Sequence, residues 1–93
     1  MLRPEILRMQ IIEVMGLRKF TSASDGLNSQ VKSVEDLFSK EVSSDKLKTH
    51  VKETGEAILS LARQGYPNLA LSYIPSFTAM YEQLPNNTIL TTG

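Results

Sequence analysis

Residues 45–65 read DKLKTHVKETGEAILSLARQG. Apolar side chains fall at Leu47, Val51, Ile58, Leu61 and Ala62, with Thr54 in line between them. A recurrence every three or four residues places side chains along one side of an α-helix. Ser44 is the expected N-cap, and Asp45 in the first turn suits the positive end of the helix dipole. Gly65 comes just after the last periodic position, where a C-terminal stop belongs. A helix over about 45–64 with one apolar stripe has to bury that stripe against other elements. Gly55 lies at the stripe's edge and costs about 1 kcal/mol relative to Ala in a helix interior. Close approach of another backbone at that point is one compensation.

The flanking segments supply the partners. Upstream, Leu27, Val31, Val34, Phe38 and Val42 make a narrow stripe, with Lys32, Glu35, Asp36 and Ser39 on the opposite face. Ser22, Ser24 and Asp25 are candidate caps for that helix, beside the Asp25-Gly26 turn signal. Downstream, Pro67 sits near a first helical position, where its missing N–H costs nothing. Leu69, Tyr73, Phe77, Met80, Tyr81 and Leu84 then line one side, joined by Ala70 and Ile74. Pro75 interrupts this run on the side away from the stripe. The expectation is one helix kinked there or two short helices meeting at Ile74-Pro75.

The N-terminal segment differs. Pro4 and Glu5 open a helix that reads to Gly16, a candidate stop. Leu7, Ile11, Val14 and Met15 make one stripe, yet Ile6, Met9 and Ile12 fall on the other side. A helix apolar nearly all round is buried on more than one face. Either it is the central helix, wrapped by the others, or it packs inward and also pairs with another chain.

Together these segments predict an all-α fold: a small antiparallel four-helix bundle, its last helix kinked or split at Pro75, and oligomeric. Residues 1–87 form a single helical domain and 88–93 a flexible tail. The chain has 93 residues and no Cys, so disulfides and thiolate metal sites are excluded. Its one histidine, His50, cannot build a His-cluster site. A domain this short has marginal core stability, and self-association is a common remedy.

Ten basic residues balance ten acidic ones. That balance disfavours a protein that coats nucleic acid or an anionic membrane. No apolar run is long enough to span a membrane. Glu5, Arg8, Gln10 and Glu13 break up the N-terminal apolar residues, so a folded helix fits better there than a signal peptide. The default is an intracellular, cytoplasmic protein, with a viral or phage source as one reading.

The chemistry-bearing residues are few. Glu35/Asp36 and Glu53/Glu56 are paired carboxylates, but they lie on polar helix faces rather than in a cleft. No nucleophile elbow, phosphate loop, zinc, EF-hand or helix-turn-helix pattern is present. No enzyme and no cofactor is expected.

The leading reading is a non-enzymatic helical protein–protein interaction module, an adaptor, regulator or assembly component working as a homo-oligomer. Its expected interface is Ile6, Met9, Ile12, Leu37 and Leu59, the apolar residues that fall off the helical stripes. The partner is a second copy or another protein. The alternative is a nucleic-acid-binding helical dimer that uses Lys46, Lys48, Lys52 and Arg63 on the outer face of the third helix.

Overall fold

Half the circumference of one helix is buried, and the other helices are arranged around it. In the computed structural model, which describes residues 3–17 and 27–84, this helix is α3 (Leu47–Arg63). The others are α1 (Pro4–Leu17), α2 (Leu27–Ser39), α4 (Pro67–Ser72) and α5 (Ile74–Tyr81). Among the described residues the chain is all-helical, five helices packed against one another, with no strand. α3 packs against each of the other four, and α1 packs on α3, α4 and α5.

The expected stripe of α3 is the core. Val51, Ile58, Leu61 and Ala62 are fully buried, and Leu47 packs against them from the edge. Thr54 is also fully buried, and its hydroxyl donates to the His50 carbonyl at 2.8 Å. That bond keeps a polar atom satisfied inside an apolar layer. Leu7 and Ile11 of α1, Val34 of α2, Ala70 of α4 and Phe77 of α5 complete the layer, with Met80 and Leu84 closing its end. The central-helix option for α1 is therefore set aside. α3 occupies the centre, and α1 buries only Leu7 and Ile11.

The ends of α3 differ from one another. At the C-terminus Gly65 adopts φ 111°, and Gly65 N–H donates to the Ala62 carbonyl while Tyr66 N–H donates to Leu61. This is the paired bonding of a Schellman motif, as the glycine's position predicted. At the N-terminus the expected cap is absent. The helix starts at Leu47, two residues later than read, with Lys46 as N-cap and no side-chain cap bond. The Ser43 hydroxyl donates instead to the Asp45 carboxylate at 2.6 Å, and Lys46 N–H closes a turn onto the Ser43 carbonyl. The local polar groups satisfy one another in a turn before the helix begins.

Two other boundaries move. α2 stops at Ser39, so Val42 lies outside the helix, half-buried in the connection to α3. Gly16 lies inside α1 rather than ending it, and a Cβ built there meets nothing within 4 Å. The run around Pro75 divides into α4 and α5 at Tyr73, which caps both helices. Pro75 falls in the first turn of α5, exposed, where no helical partner awaits its missing N–H. The candidate caps Ser22, Ser24 and Asp25 and the tail 88–93 lie outside the described residues.

Two glycine substitutions should act in opposite directions. Gly65→Ala forces a side chain into positive φ and should lower stability by about 1–2 kcal/mol. Gly16→Ala has space and helical backbone, and should raise stability by roughly 0.5–1 kcal/mol. Chemical denaturation of the two variants measures both.

Candidate interaction surface

The inner side of α1 is fixed by Leu7 and Ile11, one turn apart and both fully buried. That anchoring decides where the remaining apolar residues point. Met9 is 58% exposed and Ile12 48% exposed, on the side of the helix away from the core. Leu17, at the end of α1, is 62% exposed. Among the described residues these three are the large apolar side chains left in solvent, and all belong to one helix. Ile6 and Met15 are half-buried and extend the row, so Ile6, Met9, Ile12 and Met15 follow one another at three-residue steps. Charge borders the row: Arg8 and Glu13 are exposed on either side, and Glu5 is exposed and 3.9 Å from Arg3. An ion pair that open to water adds little.

The other expected interface residues are placed differently. Leu59, read as lying on a polar face, is 7% exposed and belongs to the core. The buried arc of α3 is wide enough to include the Gly55–Leu59 side, because four helices cover it. Leu59 is thus closed to a partner. Leu37 is half-buried on α2 and lies apart in sequence from the α1 row.

Lys46, Lys48, Lys52 and Arg63 are all exposed. Lys46 precedes the helix, and Lys48 and Lys52 stand one turn apart near the positive end of the α3 dipole. Glu56, one turn beyond Lys52 and also exposed, breaks the positive row before Arg63, and Glu53 is exposed on the same helix. Glu35 and Asp36 are exposed on α2.

A cleft of about 590 Å³ opens where the end of α2, the 40–42 segment, α3 and α5 meet, with Phe38, Leu47, His50 and Met80 in its wall. A second of about 380 Å³ lies under the 40–43 segment, and His50 borders it too. His50 is 4% exposed, and both ring nitrogens are buried without a hydrogen-bond partner. The sequence signal was the position of His50 immediately before Val51, beside the stripe. Phe38, in the cleft wall, stacks on Tyr73 with ring centroids 5.7 Å apart. Burial, and then the Glu35 carboxylate, push the Tyr73 hydroxyl above its ordinary value. Among the described residues no group of three or more His, Asp or Glu side chains is placed to hold a metal ion, and no helix is long and apolar enough to cross a membrane.

Comparison with known proteins finds no family model, no curated protein and no solved structure that matches the chain.

An imidazole sealed off with no partner costs about 1–3 kcal/mol for each unsatisfied group. His50→Leu, which keeps the volume and removes the polar atoms, should hold or raise stability, by up to about 1 kcal/mol. A loss of more than about 1 kcal/mol in the same denaturation assay would mean that the imidazole makes a bond in solution.

Proposed function

We propose that the chain is a non-enzymatic helical interaction module that works as a homo-oligomer through the outer face of α1. The observation that carries this reading is the concentration of exposed large apolar side chains on that helix, Met9 and Ile12 foremost. Single exposed apolar residues are ordinary, but a row along one helix is a surface that gains free energy when covered, at about 25 cal/mol per Å² before the costs of association. A second copy suits the surface for two reasons. The chain's charges balance, so like-charge repulsion between copies is small. The row is also bordered by both signs of charge, the base Arg8 and the acids Glu5 and Glu13, so a contact between copies can set opposite charges together. Adaptor, regulator and assembly roles all use such a surface.

The alternative, a nucleic-acid-binding dimer using Lys46, Lys48, Lys52 and Arg63, has less support. The acidic Glu53 and Glu56 stand on the exposed side of the same helix, and phosphate tracking needs a row of positive charge.

Ile12→Glu separates folding from association. Ile12 is exposed in the single chain, so at a protein concentration where both are monomeric the variant should unfold within about 0.5 kcal/mol of wild type. Light scattering after size exclusion should show the wild type as an oligomer free of nucleic acid and Ile12→Glu as a monomer. Leu7→Ala, from the buried face, should instead lose about 2–5 kcal/mol of stability. A wild type that runs as a monomer at every concentration would end the homo-oligomer reading.

A further inference from the structure

The connection between α2 and α3 is loosely held. Phe38 before it and Leu47 after it both pack against the core, and residues 39–46 contribute nothing to that core. Val42 is half-buried and the rest of the connection is exposed. Among the described residues Glu41 and Val42 make no hydrogen bond. The bonds that follow are local: the Ser43 hydroxyl donates to Asp45, and Lys46 N–H donates to the Ser43 carbonyl. A segment with little buried apolar surface and no bonds to its neighbours belongs to the part of a fold that opens at low free energy.

This segment stands beside a group that gains when it opens. Lys40, Glu41, Val42 and His50 line both clefts, so these residues form the partition between them. Of the partition, His50 alone stands on a helix. It is held there by α3, whose Val51 and Thr54 are fully buried. Both imidazole nitrogens are closed to water and have no partner, whereas the buried Thr54 hydroxyl has its bond. A polar atom buried without a partner destabilises the closed arrangement and recovers hydrogen bonds when water reaches it. The two ends of the connection stay in place, because Val34 of α2 and Val51 of α3 are buried in the core.

We infer that residues 40–43 form a hinged strap that swings away from α3 within the folded protein and joins the two clefts into one groove with the His50 imidazole on its floor. The open form presents the chain's one imidazole beside the apolar Phe38, Leu47 and Met80, and the closed form hides it. This motion does not depend on how the outer face of α1 is used.

The test is carbethoxylation of His50 by diethyl pyrocarbonate in the full chain, followed by peptide mapping. The reagent needs an open ring nitrogen, and the chain has no second histidine to confuse the signal. The rate should lie below that of N-acetylhistidine, and at least about tenfold above what global unfolding allows. It should stay nearly flat in urea below the unfolding transition, since little surface is exposed in a local opening. Val42→Ala, which trims the apolar hold of the strap, should raise the rate about three- to fivefold with thermal unfolding little changed. Leu7→Ala, in the core under α1, should leave the rate unchanged below its own transition. Were global unfolding the route, the same variant would raise the rate by about thirtyfold or more. A rate that climbs with urea and with Leu7→Ala, and ignores Val42→Ala, overturns the strap. A wild-type rate equal to that of N-acetylhistidine overturns it as well, because the ring would then have no closed state.

Discussion

The structure depends on the burial of α3 over half its circumference. Val51, Ile58, Leu61 and Ala62 have no solvent exposure, and the layers from α1, α2, α4 and α5 are packed to keep it so. A domain of this size cannot afford a second apolar core. Once α3 holds the centre, each remaining helix has one covered side and one side in water. For α2 that division matches its sequence, with Val34 in and Lys32, Glu35 and Asp36 out. For α1 it does not. Its sequence supplies apolar residues for two sides and the fold uses one.

That mismatch is the physical basis of the functional reading. Leu7 and Ile11 lock the rotation of α1, so the same contacts that stabilise the domain hold Met9 and Ile12 outward. On the proposed reading, fold and association fall to opposite faces of one helix, and substitutions on the two faces should have separable effects. The α2–α3 connection shows a different economy. The 40–43 segment borders two clefts, and His50, in the wall of both, is buried with its ring nitrogens unpartnered.

Much of this was legible in the residues. The period of α3, the glycine stop at Gly65 and the break near Pro75 each follow from a local rule with a single outcome. Errors arose where local rules compete. Ser44 and Asp45 have the chemistry of a cap, but Ser43 and Asp45 bond to each other, and the helix begins after their turn. Val42 continues the α2 stripe in sequence, yet the helix has ended three residues before it. Leu59 was misplaced because a helical wheel assumes one buried stripe, and a helix covered by four neighbours buries a wider arc. For the candidate site, the two-sided character of α1 was visible in the spacing of Ile6, Met9 and Ile12. Which side faced the core was not, because that depends on where α3, α4 and α5 lie.

Residue-resolved native-state hydrogen exchange tests the central claim most directly, namely that the fold depends on α3. The account predicts that amides from Val51 to Ala62 exchange most slowly, only through global unfolding, with α1 and α2 opening before them. Exchange of the α3 amides through local opening, while α1 stays protected, would contradict it.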